Sequence, residues 1–124
     1  MARVLIAEDE PDVRDVVARA LTAAGHTIET AADGAAALEA LDRGTYDLLL
    51  TDIVMPIMDG VALALKCSKL YPRLTILMMT GYADQKDRAV NLDSLIHDIV
   101  VKPFTIEEIV LKVEDALAHN RRRR

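Results

Sequence analysis

The chain has 124 residues, a formal net charge of −5, 52% hydrophobic residues and 3% aromatics. Such a length and apolar content suit one globular domain with a single core and exclude a disordered chain. An acidic body poor in aromatics argues against direct nucleic-acid binding, no apolar run approaches the roughly 18 residues of a membrane span, and the single Cys67 suits a reducing cytoplasm.

Arg3 to Ala7 reads as a short apolar strand that runs straight into Glu8-Asp9-Glu10. Pro11 stands where a first-turn proline belongs, and Val13, Val16, Val17, Ala20 and Leu21 recur at helical spacing up to Gly25. His26 to Ala31 is a weaker second strand with Ile28 as its main apolar residue. Asp33-Gly34 is a turn, the alanine-rich stretch through Leu38 and Leu41 is a second helix, and Gly44 ends it. Asp47 to Thr51 carries Leu48, Leu49 and Leu50 without alternation, as a strand covered on both faces should. Asp52 is the first residue past that run, and Pro56 and Gly60 turn the chain beyond it.

Val61 to Leu70 is a third helix that stops before Pro72, and Cys67 is a small residue within it. Thr75 to Met79 is a fourth buried strand, terminated by Thr80-Gly81. Ala83 to about Leu92 is polar, with weak helical periodicity around Ala89, Val90 and Leu92, and is assigned to a fourth helix. Ile99 to Val101 is a fifth strand, cut off by Lys102-Pro103. Thr105 caps a last amphipathic helix carrying Ile106, Ile109, Val110, Val113 and Leu117, with Glu108 placed for a capping box. Arg121 to Arg124 follow as a solvated, frayed end whose charge suits the helix dipole, or as a phosphate-binding tail.

Five strands alternating with five helices through short connections predict a flavodoxin-like (βα)5 domain. Its doubly wound parallel sheet would have strand order 2-1-3-4-5, with residues 1–119 in the domain and 120–124 as a basic tail. In that topology the carboxyl ends of strands 1 and 3 are neighbours, which brings Glu8 and Asp9 to Asp52. Three crowded carboxylates repel and raise a pKa unless a cation joins them. Mg²⁺ suits an open site of one or two carboxylates and waters, and the Val54 carbonyl is a candidate further ligand.

Strands 4 and 5 end on the same rim with Thr80 and Lys102. A carboxylate nucleophile, a hydroxyl, an ammonium and a metal-binding acid pair form a coherent set for phosphoryl transfer. Asp52 attacks phosphorus, Mg²⁺ and Lys102 neutralise the equatorial oxygens, and an aspartyl phosphate results. Plainer readings stand beside this one: Glu8, Asp9 or Glu10 as a cap of helix 1, Thr80 as a turn cap, Lys102 as a surface lysine. Met55 and Met58 read as packing residues rather than ligands.

These residues resemble the receiver domains of bacterial two-component response regulators. The matching pieces are Glu8-Asp9, Asp52 with Met55-Pro56 and Asp59-Gly60, Thr80-Gly81 and Lys102-Pro103-Phe104, and the resemblance runs from Arg3 to about Leu117. It implies Asp52 as phosphoacceptor from a sensor histidine kinase or histidine phosphotransfer protein, in a switch and not an enzyme. It also implies Asp9, Asp52 and the Val54 carbonyl as Mg²⁺ ligands, with Glu8 acting through water. Thr80 and Lys102 would bind the phosphoryl group, and the Lys102-Pro103 bond would be cis. Activation would alter the face of the fourth helix, fifth strand and last helix, where a downstream protein binds the monomer or a phosphorylation-dependent dimer forms.

Two departures bear on mechanism. Receivers usually carry Tyr or Phe three residues before the strand-5 lysine, and here Ile99 stands there, so no ring can swing inward. Tyr82 would take over part of that signalling or remain an exposed loop residue. Val54 and Tyr82 occupy the positions that modulate phosphoaspartate hydrolysis, and neither activates water well, which suggests slow self-dephosphorylation. The absence of an output domain after Leu117 points to a single-domain regulator or a piece of a longer one. Thr80 to Gln85 and Leu48 to Gly60 also look similar to single-domain receivers of the CpdR type, which would imply an adaptor for an AAA+ protease.

Two competing chemistries fail on residues. A phosphatase of the haloacid dehalogenase class needs a second Asp two residues after the nucleophile, and Val54 is there. A nucleotide site needs a glycine-rich loop after strand 1, where Glu8-Asp9-Glu10-Pro11 repels anions instead.

Overall fold

The computed structural model describes residues 2–81 and 95–122. Its strands are β1 (Arg3–Ala7), β2 (Thr27–Ala31), β3 (Leu48–Asp52), β4 (Thr75–Thr80) and β5 (Asp98–Val101). The helices among the described residues are α1 (Pro11–Ala23), α2 (Gly34–Arg43), α3 (Gly60–Leu70) and α4 (Ile106–Arg122). The fourth helix expected from Ala83 to Leu92 lies outside the described residues, as does Tyr82.

All pairings are parallel, in the order β2-β1-β3-β4-β5. The expected flavodoxin-like arrangement is therefore what forms. Strand alternation splits the core into two layers. Leu5, Ala7, Leu49 and Met78 face α2 and α3, where they meet Ala37, Leu41, Leu63 and Cys67. Val4, Ile6, Leu48, Leu50 and Met79 face α1 and α4, against Val17, Leu21, Ile109 and Val113. Leu48, Leu49 and Leu50 are all fully buried, and each such leucine contributes about 1.5–3 kcal/mol. β2 is an edge strand with mostly exposed or half-buried positions, hence its weak apolar signal.

Helix starts follow the expected chemistry. Asp33 caps α2 by accepting from the Ala36 N–H at 2.7 Å. Thr105 and Glu108 form the reciprocal capping box of α4, at 3.0 and 3.1 Å. Several boundaries differ from the sequence reading: β3 runs Leu48–Asp52 rather than Asp47–Thr51, β4 extends to Thr80, β5 begins at Asp98 and α3 at Gly60. The second strand begins at Thr27, because His26 turns its ring inward and is buried. The last helix continues through Arg121 to Arg122, beyond the last apolar repeat at Leu117, since arginine is a good helix former. No helix among the described residues is long and apolar enough to cross a membrane.

Candidate functional site

The apolar run of β3 ends in a charge, so the central strand delivers Asp52 to the carboxyl rim of the sheet. β1 does the same with the Glu8-Asp9 pair that follows Ala7. One carboxylate oxygen from each of Glu8, Asp9 and Asp52 lies within 4.8 Å of the others. Glu8 is fully buried and Asp52 is only 6% exposed, while Asp9 faces solvent. The three acids therefore meet as expected, and in a poorly hydrated place.

Lys102, just past β5, answers them. Its Nζ donates to Glu8 Oε1 at 2.6 Å and to Asp52 Oδ2 at 3.0 Å. It is not an ordinary surface lysine. Burial pushes the Glu8 carboxyl up to about 7; the Lys102 hydrogen bond opposes that rise and the Asp52 charge adds to it. Burial alone would lower the Lys102 ammonium, but its hydrogen bonds to Glu8 and Asp52 carry it above its ordinary value.

The plainer capping reading does not hold for Glu10. Glu10 is the N-cap residue of α1, yet its side chain makes no capping bond. Glu8 Oε2 instead accepts the Glu10 N–H at 3.2 Å. Thr80 is the last residue of β4 and fully buried, with its carbonyl accepting the Lys102 N–H at 2.7 Å. That bond sets Thr80 and Lys102 side by side on the rim, and the Lys102-Pro103 peptide is cis.

The loop after Asp52 is held close. The Val54 N–H donates to Asp52 Oδ1 at 3.4 Å, and the Val54 side chain is 44% exposed. Met55 is buried in the core and Met58 packs against it, so both are packing residues. Ile57 has φ 69°, in the left-handed region that a β-branched residue rarely adopts. Ile99 pairs with Met78 in the sheet and packs on the α2/α3 layer, as a fixed aliphatic wedge.

Several contributors escaped the sequence reading. Arg14 Nη1 donates to the Glu8 carbonyl at 2.9 Å and ties α1 to the acid loop, with no motif to mark it. Asp59 caps α3 by accepting from the Ala62 N–H at 2.9 Å, and an acid just before a helix was a readable signal. A Cβ on Gly60 would fall on the Asp52 carbonyl oxygen, so only glycine lets α3 start this close to the nucleophile. Beside Lys102, a cavity of about 470 Å³ opens between Val13 and Val16 of α1 and Phe104.

Fold and site together define a phosphoacceptor-type α/β switch with its acid pocket at the topological switch point. The chain belongs to the response regulator receiver domain family, whose profile matches residues 4–114. It is 36% identical over 111 residues to the transcriptional regulatory protein TcrA of Mycobacterium tuberculosis, covering 90% of this chain but 44% of that protein. It is 39% identical over 120 residues to the response regulator receiver protein CpdR of Brucella abortus, covering 94% of this chain and 98% of that one. Among solved structures it resembles the response regulator TrrA of Thermotoga maritima, in complex with Mg²⁺-BeF. That match has a TM-score of 0.85 and 31% identity, and covers 94% of this chain and 99% of the other. Receiver domains of two-component systems are phosphoacceptor switches, and this chain is one of them.

Proposed function

We propose that Asp52 is the phosphoacceptor and that residues 1–119 act as a protein-interaction switch, with 120–124 as a basic tail. The observation that carries this is the Lys102 ammonium lying between Glu8 Oε1 and Asp52 Oδ2, at 2.6 and 3.0 Å. A cation poised on the nucleophile is already where phosphoryl oxygens need neutralising.

The acid set suits a hard dication. Its donors are all oxygen and close enough to share one ion. Asp9, Asp52 and the Val54 carbonyl would hold Mg²⁺, with Glu8 acting through water. Bound there, the ion would supply charge neutralisation for the incoming phosphoryl oxygens. The protein's own steps are these. An Asp52 carboxylate oxygen forms a bond to phosphorus as the donor's P–N or P–O bond breaks, and the electron pair leaves with the donor. Lys102 shifts from the acid pair to the phosphoryl group, and the Thr80 hydroxyl donates to it. The donor is a sensor histidine kinase or a histidine phosphotransfer protein. The output is a change at β5 and α4, read by a downstream protein in the cytoplasm.

The test is incubation with acetyl phosphate and Mg²⁺, read by intact mass. One added phosphoryl group per chain is expected, abolished in Asp52→Ala. No addition, or addition that survives Asp52→Ala, overturns the assignment.

The exposed Val54 side chain beside Asp52 supports a second part of the proposal, slow hydrolysis of the acyl phosphate. An aliphatic group orients no water, so catalysis beyond this self-dephosphorylation is not expected. Phosphorylated wild type should decay several-fold more slowly than a Val54→Asn, Tyr82→Glu double variant. Equal rates remove the idea.

The likeness to CpdR and to the longer TcrA leaves two settings for the switch. It acts as an adaptor for an AAA+ protease, or as the receiver of a regulator with an output domain. Affinity capture of a protease partner by one phosphorylation state of the chain and not the other would select the first.

A further inference from the structure

The amino rim of the sheet, opposite the acid pocket, carries a second set of ligating side chains. His97 stands just before β5, anchored by its N–H to the Ile76 carbonyl at 2.7 Å. Its Nε2 lies 2.9 Å from Asp115 Oδ2 on α4. One helical turn further along, the His119 ring lies 5.1 Å from the His97 ring, centroid to centroid, tilted by 50°. The chain has three histidines, and the remaining one is engaged elsewhere: His26 Nδ1 accepts the Ala2 N–H at 3.2 Å, and Nε2 meets Glu114 at 2.6 Å.

We propose that His97, Asp115 and His119 form a binding site for a borderline transition-metal dication, with zinc the best fit. Asp115 and His119 are four residues apart on α4, the spacing that puts two helical side chains on one metal. Two imidazoles on one tetrahedral zinc, with Zn–N of about 2.0–2.1 Å, have ring centroids about 5.2 Å apart. The His97–His119 centroid separation of 5.1 Å is compatible with that spacing, although the donor atoms of the three groups do not all lie within 4.8 Å of one another and would have to converge on binding. His97 Nε2 and Asp115 Oδ2 already lie 2.9 Å apart, and a dication that takes both as ligands replaces that contact. The movement required is a turn of the exposed His119 side chain.

The donor set also separates this site from the acid pocket. Two nitrogens and one oxygen select zinc, whereas the all-oxygen pocket selects magnesium. Among the described residues, Lys112 on the same helix is hydrogen-bonded to Asp98 at 2.6 Å and also feels the Asp115 charge. Access is from the side of Asp115 and His119, which are exposed, whereas the His97 side chain is only 17% exposed. Three protein ligands leave a fourth position for water or for a group on another molecule. A dication here would join the residues leading into β5 to the carboxyl-terminal half of α4.

The test titrates Zn²⁺ into the untagged chain against a chromophoric chelator, with saturating Mg²⁺ in the acid pocket. One zinc per chain is expected, with the ring resonances of His97 and His119 shifting and those of His26 unmoved. His97→Ala and His119→Ala should each weaken binding at least about tenfold, and Asp115→Asn less. His119 is exposed, so His119→Ala should keep the wild-type melting curve and serves if His97→Ala fails to fold. No zinc uptake, unchanged affinity in His119→Ala, or zinc displaced by Mg²⁺ from the acid pocket alone would each overturn the proposal.

Discussion

The two rims of the sheet treat charge in opposite ways. At the carboxyl rim, Glu8, Asp9 and Asp52 crowd around one cation, Lys102, and two of the three acids are buried. At the amino rim, Asp98 meets Lys112 at 2.6 Å, a pair whose side chains are 39% and 43% exposed. There the pairing settles both partners: the Asp98 carboxyl falls below its ordinary value despite burial, and the Asp98 hydrogen bond raises the Lys112 ammonium. A matched, hydrated pair rests. A mismatched, buried cluster retains an affinity for whatever restores its balance, first a dication and then a phosphoryl group.

The largest test of that contrast removes Lys102 from the crowded rim. Lys102→Met leaves two buried acids without it, and should destabilise the metal-free protein by on the order of 3 kcal/mol at about pH 8. Denaturant unfolding in EDTA measures this, and added Mg²⁺ should recover most of the loss. A variant as stable as wild type would mean that the three acids are not in conflict.

A smaller effect should appear as a pH slope. The Glu8 carboxyl rises from 4.5 to about 7 on folding, so between those values the native state holds a proton that the unfolded chain has released. Stability should therefore fall as pH rises through that window, by no more than about 3 kcal/mol. Lys102 is raised above 10.5 and stays charged throughout, so it adds no slope there. Comparing Glu8→Gln with wild type in EDTA isolates the contribution, because the variant should lose this part of the slope. Mg²⁺ should flatten the wild-type curve as well.

The smallest effect belongs to the amino rim. Lys112→Ala should cost no more than about 1 kcal/mol, the usual worth of a hydrated ion pair. A thermal melt checks it, and a loss comparable to that of Lys102→Met would erase the distinction between the rims.

Much of the carboxyl rim was legible because its residues sit where apolar runs stop. Asp52 follows three leucines and a threonine, Lys102 follows Val101, and a strand order of 2-1-3-4-5 carries both ends to one rim. Capping was legible for the same local reason, as Thr105 and Glu108 are three residues apart. Other features left no local trace. Nothing near Glu8 announces its complete burial or its bond to a lysine 94 residues away. No local motif marks Arg14, and only the docked helix aims it at the Glu8 carbonyl. The His97–Asp115–His119 group is equally invisible, since it forms only where α4 folds back beside β5.

By itself, then, the amino-acid sequence determined the sheet, the four helices among the described residues and which acid would stand at the central strand end. Periodicity, caps and breakers act over a few residues and are written locally. Only the tertiary structure decided how the charges at that end are balanced: Glu8 raised by burial, Lys102 shared between two acids, Ile99 packed in place of a mobile ring. Burial and Coulomb interaction depend on what surrounds a group in space. For Asp52 those surroundings come from β1 and from the turn after β5, which only the folded sheet brings together.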